Sequence, residues 1–157
     1  MRIDRLLLLL TVFALTACTG ADTITKKRWE NRDTTVRIMD LSGGKGEFGD
    51  AGHRFGLAIE DALDDTAFVV TQKQSHYVLK FKVVEFQEGK RWKRMMTLGI
   101  DESSRAMMKA RVALYNERGM LAAWEIDSWV NGGPTGGSLD SLFEKAAAEV
   151  LAHLKGY

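Results

Sequence analysis

Cysteine and proline are nearly absent from this chain of 157 residues, which contains one of each. A single cysteine permits no disulfide within the chain, so the fold cannot depend on one. The chain also lacks an excess of either charge, with 22 Lys and Arg against 21 Asp and Glu. Because neutralising phosphates requires a basic excess, this balance argues against a nucleic-acid partner. A hydrophobic content of 45% without repeats or low-complexity tracts predicts one globular domain.

Long apolar runs are also missing, apart from one at the amino terminus. A basic start is followed by the mainly apolar segment Leu6 to Leu15. As a helix this segment would rise about 15 Å, roughly half of a bilayer core, so it is too short for a membrane span. Small residues then precede Cys18, and the whole arrangement predicts a signal peptide over residues 1–17, cleaved between Ala17 and Cys18. Cleavage would remove two arginines and one aspartate, leaving a formally neutral mature chain.

The four residues that span the predicted cleavage site, Leu15-Thr16-Ala17-Cys18, resemble a bacterial lipobox. The resemblance implies that the Cys18 thiol carries diacylglycerol and that the new amino group is acylated. Two or three acyl chains would hold the protein firmly to a membrane. In similar lipoproteins an Asp after the cysteine favours retention at the inner membrane, and Thr19 stands here instead. We therefore expect an outer-membrane lipoprotein facing the periplasm; the alternative is an ordinary signal peptide with a chance cysteine.

The segment after the cysteine, residues 19–33, is polar and charged without apolar periodicity, so residues 18–33 are interpreted as a lipidated cysteine with a flexible tether. The basic stretch Lys26 to Trp29 is interpreted as part of this solvated linker; contact with lipid headgroups is the alternative. A single α/β domain is predicted over residues 34–157.

The domain begins with the pattern of a β-α-β unit. Thr34 to Met39 predicts a strand, Asp40 to Gly49 a glycine-rich loop, and Asp50 to Asp64 an amphipathic helix. Ala67 to Thr71 predicts the next strand. If the two strands are parallel, their connection should be right-handed.

Three longer alternating segments predict an antiparallel meander over Tyr77 to Phe86, Ser104 to Tyr115 and Met120 to Val130. The alternation of the first slips by one residue at Val83-Val84, which predicts a bulge. In the third, the residues predicted to face the core are Met120, Ala122, Trp124, Ile126 and Val130.

The hairpin between the second and third of these strands has a predicted register. A three-residue loop, Glu117 to Gly119, would pair Asn116 with Met120. On this register, charges of opposite sign face each other across the outer side of the sheet. The pairs are Arg111 with Glu125 and Lys109 with Asp127, and on the inner side Val112 with Trp124.

The chain closes with a glycine-rich loop, Gly132 to Gly137, and a helix that is capped by Ser138 and ends near Lys155. Together the elements predict an α/β fold of two layers. The sheet is mixed and five-stranded, with a β-α-β start and a three-stranded antiparallel meander. Both helices, including the C-terminal one, are expected on one face.

Catalytic and metal-binding motifs are scarce. The three histidines, His53, His76 and His153, lack metal-ligand spacing, and no G-x-S-x-G motif occurs. The acidic pairs Glu60-Asp61 and Asp64-Asp65 lie mostly off the apolar stripe of their helix and are interpreted as solvated. The sequence therefore predicts no enzyme activity, no cofactor and no metal.

The loop Ser42 to Gly46 follows a strand and precedes a helix, where backbone amides can hold a phosphate. However, Lys45 is followed by Gly46, so the hydroxyl of a P-loop is missing. A small-ligand binder or weak hydrolase using the Asp40 to Gly49 loop is the alternative function.

Cations interleave with an aromatic residue in one connection of the meander. These candidate partner-binding residues are Lys90, Arg91, Trp92, Lys93 and Arg94, and Trp129 joins them because it is expected on the outer face of the sheet. The alternative is a solvated loop whose tryptophan and methionines dip into the core.

Together, the lipobox, the element order and loose motifs in the domain resemble a bacterial lipoprotein family defined as a domain of unknown function. The motifs are His76-Tyr77, a basic run and glycine from Arg94 to Gly99, the turn residue Gly119, and the loop Gly132 to Gly137. The resemblance implies a small α/β domain similar to the amino-terminal domain of TolB and to CsgG-type lipoproteins. It assigns no catalytic residue.

The sequence thus predicts an outer-membrane lipoprotein without catalytic activity that binds or assembles in the cell envelope. Its expected partners are the membrane, through the lipid anchor, and an envelope protein or a cell-wall polymer.

Overall fold

The computed structural model describes residues 19–27, 35–43, 48–64, 66–89, 105–131 and 137–155. Within these ranges the chain forms six strands and two helices. In chain order they are β1 (Thr19–Lys27), β2 (Thr35–Asp40), α1 (Ala51–Asp64), β3 (Val69–Val70), β4 (Tyr77–Gln87), β5 (Ala106–Asn116), β6 (Gly119–Val130) and α2 (Leu139–Lys155).

All six strands join one mixed sheet in the order β1-β6-β5-β4-β2-β3. Strand β2 is parallel to β3 and to β4, whereas the pairs β4–β5, β5–β6 and β6–β1 are antiparallel. The predicted mixed α/β sandwich, with its parallel β-α-β start and antiparallel meander, is confirmed. The sheet has one strand more than predicted.

The helices pack against each other and against one face of the sheet, where they build the core. Helix α1 buries Phe55, Ile59 and Leu63, which recur every four residues and so share one side of the helix. Burying each such side chain contributes about 1.5 to 3 kcal/mol. The rings of Phe55 and of Phe81 from β4 form a T-shaped contact with a centroid distance of 5.1 Å. Helix α2 begins as predicted, because the Ser138 hydroxyl accepts a hydrogen bond from the third backbone N–H beyond it.

Strand β1 occupies the segment that the sequence analysis interpreted as a flexible tether, so that interpretation was wrong for Thr19 to Lys27. The strand pairs antiparallel with β6, from Thr19 opposite Val130 to Lys27 opposite Ala123. Its inward side carries short residues instead of large apolar ones, which is why hydrophobic periodicity did not reveal it. Residues 28–33, the rest of the predicted tether, lie outside the described residues.

Strand β3 is shorter than predicted and comprises two residues. The Thr66 hydroxyl donates a hydrogen bond to the Leu63 carbonyl and accepts one, at 3.1 Å, from the Phe68 backbone N–H. These local bonds hold a turn where the sequence predicted the start of the strand. Phe68 is nevertheless buried in the core.

The bulge predicted in β4 is confirmed. Val83 pairs with Ala110 and Glu85 with Lys109, so Val84 is the extra residue. The bulge changes which side chains face the helices, and the alternation of the strand therefore breaks at this point.

The turn between β5 and β6 is shorter than the predicted three-residue loop. Asn116 pairs with Gly119 and Tyr115 with Met120, so only residues 117–118 form the turn. The Asn116 side-chain oxygen accepts a 2.9 Å hydrogen bond from the backbone N–H two residues on, and Gly119 has a φ of 118°. An asparagine-supported tight turn thus replaces the predicted loop.

A bulge in β6 then restores the predicted register away from the turn. Leu114 pairs with Ala122, which leaves Leu121 as the extra residue. The predicted inward position of Met120 is wrong, because this side chain lies on the turn side of the bulge and is 45% exposed. The three predicted cross-strand pairs are confirmed: Arg111 with Glu125, Lys109 with Asp127, and Val112 with Trp124.

Candidate functional site

The sheet face opposite the helices, here called the outer face, presents mostly polar side chains. Because side chains alternate along a strand, the outward residues follow from the buried ones. Two ion pairs lie on it as predicted. Arg111 Nε is 3.3 Å from a carboxylate oxygen of Glu125, and Lys109 Nζ is 3.5 Å from Asp127. Exposed pairs of this kind stabilise a fold by about 0.2 to 1 kcal/mol and mainly disfavour wrong registers.

A groove of about 430 Å³ crosses the outer face near the β5–β6 turn. We call it the basic groove, because it is lined by four cationic side chains and one acidic side chain. The charged residues are Lys26, Lys80, Lys82, Arg111 and Glu125, and the remaining lining includes Leu41, Ala113, Tyr115 and Ala123. The acid is the ion-pair partner of Arg111, so three lysines remain as the local charge excess.

The floor of the basic groove is formed by small residues on adjacent strands. Ala113 of β5 pairs with Ala123 of β6, and Lys80 of β4 lies on the other side of Ala113. The Lys80 ammonium lies 4.6 Å from the centroid of the Tyr115 ring, a cation–π contact that holds both side chains at one wall. Short floor residues between long wall residues create the depression.

A bulge places the fourth cation at the far end of the basic groove. In β1, Thr25 pairs with Trp124 and Lys27 with Ala123, so Lys26 is the extra residue. Bulges commonly redirect a side chain, and this one puts Lys26 among the lining residues.

The end of the sheet opposite the turn is where β1 begins. Thr19 pairs with Val130, which in turn pairs with Ala106, the first residue of β5. The last residue of β4, Gln87, pairs with Met107 at the same end. The residue that precedes β1 is Cys18, the predicted lipidation site, so this end is called the anchor end.

Most of the residues proposed as sites from the sequence lie outside the described residues. These are Ala17, Cys18, Lys90, Arg91, Trp92, Lys93 and Arg94. The described residues nearest to the basic segment are Gly89, two residues after the end of β4, and Arg105, directly before β5. Both adjoin the anchor end. The partner-binding role of the basic segment stays a prediction.

Trp129, the remaining candidate, lies on the outer face as expected. It pairs with Gly20 of β1, and its indole covers the place where a side chain at Gly20 would be: a Cβ built there would lie 2.5 Å from the ring. The indole therefore packs on the edge strand. Binding of a partner by Trp129 stays a prediction.

Within the Asp40 to Gly49 loop, the structure describes residues 40–43 and 48–49. Asp40 accepts a 2.7 Å hydrogen bond from the Ser42 N–H, and the Ser42 hydroxyl accepts one of 2.9 Å from the Val83 N–H. The Asp40 carboxylate lies beside Gly52 in the first turn of α1. A negative charge at this position suits the helix dipole and disfavours an anionic ligand there.

The three histidines are dispersed in the fold. His53 is exposed on α1, His76 precedes β4, and the His153 ring stacks on Trp124 at 5.6 Å. Among the residues that the structure describes, no group of three or more His, Cys, Asp or Glu side chains is placed to hold a metal ion. No helix in the described part of the chain is long and apolar enough to cross a membrane.

The basic groove itself was missed in the sequence analysis. Lys80, Lys82 and Arg111 were visible as outward residues of alternating strands, but Lys26 was assigned to the tether. Recognising the groove required the pairing of β1 with β6, which no sequence pattern indicated. The small outward residue Ala123, opposite Ala113, was the available signal.

The architecture defines the class of protein: a small two-layer α/β domain with one mixed sheet, whose two helices cover one face and whose other face remains open. Neither a protein-family model nor a curated protein matches the sequence. The fold, however, is found among solved structures.

The chain is similar to PelC of Paraburkholderia phytofirmans, in two structures of a dodecamer. In one, a variant, identity is 16%, the TM-score is 0.55, and the alignment covers 88% of this chain and 98% of PelC. In the other, identity is 14%, the TM-score is 0.55, and coverage is 89% and 99%. The protein XCC0632 of Xanthomonas campestris, from the family DUF330, aligns over 82% of both chains with 14% identity and a TM-score of 0.47. At these identities the similarity to PelC shows a shared fold.

Proposed function

We propose that this protein is an outer-membrane lipoprotein that faces the periplasm and serves as a binding or assembly module without catalytic activity. Cys18 carries the lipid, and the domain presents its outer face to an envelope partner. The observation that carries the proposal is the lipobox directly before a structured strand: β1 begins at Thr19, one residue after Cys18. The relation to TolB and to CsgG-type lipoproteins belongs to the same proposal.

The position of β1 changes how the anchor works. A flexible tether of fifteen residues would allow the distance between the domain and the bilayer to vary by tens of ångströms. With β1 hydrogen-bonded to β6 from its first residue, the lipid is attached at the anchor end of the sheet. The anchor end then faces the headgroups, and the flanks of the basic segment, Gly89 and Arg105, lie on the same side. This arrangement supports a contact of that segment with anionic lipid.

Assembly of several copies is part of the proposal, and the dodecameric state of PelC supports it. In this chain β1 is an edge strand of nine residues, and an edge strand offers unpaired backbone groups to another chain. Native mass spectrometry of the detergent-extracted protein tests this part: a defined oligomer supports it, and a monomer at all concentrations contradicts it.

Membrane separation on a density gradient tests the location. We expect the wild-type protein in the outer-membrane fraction and Thr19→Asp in the inner-membrane fraction, because an Asp after the lipidated cysteine favours retention. Thr25→Asp, the same change at an exposed position six residues on, should leave the location unchanged. Recovery of wild type with the inner membrane, or no effect of Thr19→Asp, would contradict the proposed location.

A further inference from the structure

The basic groove carries its cations at both ends, on strands that are not neighbours. We propose that it binds an elongated acidic glycan, in which carboxylates on the sugar rings contact the lysines. This inference rests on the proposed function, because it identifies the class of partner that the outer face of the anchored module recognises.

The spacing of the charges favours an extended ligand over a single small anion. Lys26 belongs to β1, and Lys80 and Lys82 belong to β4, with β6 and β5 in between. Three strand spacings separate the two ends, about 14 Å. A simple carboxylate or phosphate cannot reach both ends at once, whereas a chain of sugar rings with repeated carboxylates can.

The floor of the groove suits the rings of such a chain. Between the cationic ends, the pair Ala113 and Ala123 forms a strip of short side chains, and Tyr115 lies beside this strip. Sugar rings combine a flat aliphatic face with polar edges, so a shallow apolar floor with charged walls can contact both. The Arg111 side chain, which is 70% exposed and paired with Glu125, lies along the same path and adds hydrogen-bond donors.

Nucleic acid fits this surface less well. Stacking of bases needs an open aromatic face, and one face of Tyr115 is covered by Lys80. Three carboxylates also lie on the outer face between the groove and the anchor end, Asp22, Glu85 and Asp127. They would repel any polyanion, glycan or nucleic acid, that lay along the strands, so the ligand is expected to run across the strands within the groove.

The position of the anchor argues against the lipid headgroups as the ligand. Lys26 lies seven positions after Thr19 along β1, a rise of about 23 Å. If Cys18 lies at the membrane, the basic groove lies at the far end of the strand. The ligand is then expected from the aqueous side, where a cell-wall or surface glycan is presented.

Calorimetric titration of the purified full protein, from whichever cell fraction it is recovered, tests the proposal. The probe is hexagalacturonate, and a neutral cellohexaose of the same length is the control ligand. The test variant is Lys80→Glu with Lys82→Glu. The matched variant is Lys73→Glu with Lys155→Glu, which reverses two exposed lysines outside the groove. Thermal unfolding confirms that each variant is folded.

We expect binding of hexagalacturonate that weakens with salt, no binding of cellohexaose, and affinity at least about tenfold lower in the groove variant alone. Ala123→Trp should also weaken binding without changing charge, because it fills the floor, whereas Leu121→Trp outside the groove should not. Absence of binding, or equal loss in the matched lysine variant, would overturn the proposal. So would preferential binding to an oligonucleotide or to phosphatidylglycerol vesicles. Since the assay requires no lipid on Cys18, a failed anchor and a failed groove give separate results.

Discussion

The hydroxyl of Thr23 donates a 2.8 Å hydrogen bond to the carboxylate of Glu149, and this contact ties β1 to α2. The two residues are 126 positions apart in the chain, so the bond closes the amino-terminal strand onto the last helix. It makes β1 part of the domain on two sides, through β6 in the sheet and through α2 above it. The attachment point at residue 18 is thereby set relative to the fold.

Removing this hydrogen bond should loosen β1 selectively. Thr23→Val keeps the shape of the side chain but leaves Glu149 without this donor, and such a loss costs about 0.5 to 1.5 kcal/mol. Hydrogen exchange measured by mass spectrometry should show faster exchange in residues 19–27 and little change in β4. Thr25→Val, at an exposed position of the same strand, is the control. Equal exchange in both variants would show that the bond does not hold β1.

The contact of Gly20 with Trp129 supports a second prediction. Gly20→Ala should destabilise the protein by about 1 to 2 kcal/mol, because the new methyl group collides with the indole. The cost of this collision exceeds the usual gain in stability from replacing a glycine in a strand. The midpoint of thermal unfolding measures the effect. Asp22→Ala, the next outward residue of β1, should be nearly neutral. A rise in the midpoint for Gly20→Ala would mean that the indole does not pack on β1.

The ion pair on the outer face supports a third prediction. Arg111→Ala and Glu125→Ala, combined in a double-mutant cycle, should give a coupling energy of about 0.2 to 1 kcal/mol, because the arginine is largely exposed. Exchanging the two residues should restore much of the stability lost by either charge reversal alone. Urea unfolding provides the free energies. No coupling would indicate that the pair does not form in solution.

Sequence patterns predicted those parts of the fold whose side chains alternate strongly between water and core. The helices were found because Phe55, Ile59 and Leu63 recur at helical spacing, and the β5–β6 register was found because Arg111 and Glu125 have opposite charges. The alternation of inward and outward side chains along both strands supported the same register.

Elements stabilised by distant partners escaped prediction. Strand β1 has few large apolar residues, and its stability comes from β6 and from Glu149, which lies far along the chain. The turn was mispredicted because the Asn116 side chain supports a tighter geometry, and the Leu121 bulge then compensates for the shift. Alternation alone does not distinguish these two routes to the same register.

The basic groove could not be predicted from the sequence for the same reason, because its residues are far apart in the chain. The basic groove combines residues from four strands, and only the pairing of β1 places Lys26 beside Ala123. The sequence pattern instead indicated the Lys90 to Arg94 segment, where cations follow one another closely in the chain. Contiguous charges are visible in a sequence, whereas charges gathered by a sheet are not.

Lipidation at Cys18 is tested by the intact mass of the protein extracted from membranes, compared with that of Cys18→Ser. We expect a mature chain that begins at Cys18 and carries the added mass of a diacylglyceryl group and an acyl chain. Cys18→Ser should abolish both the added mass and this cleavage. A mature chain with an unmodified cysteine, or one recovered in the soluble periplasmic fraction, would contradict this expectation.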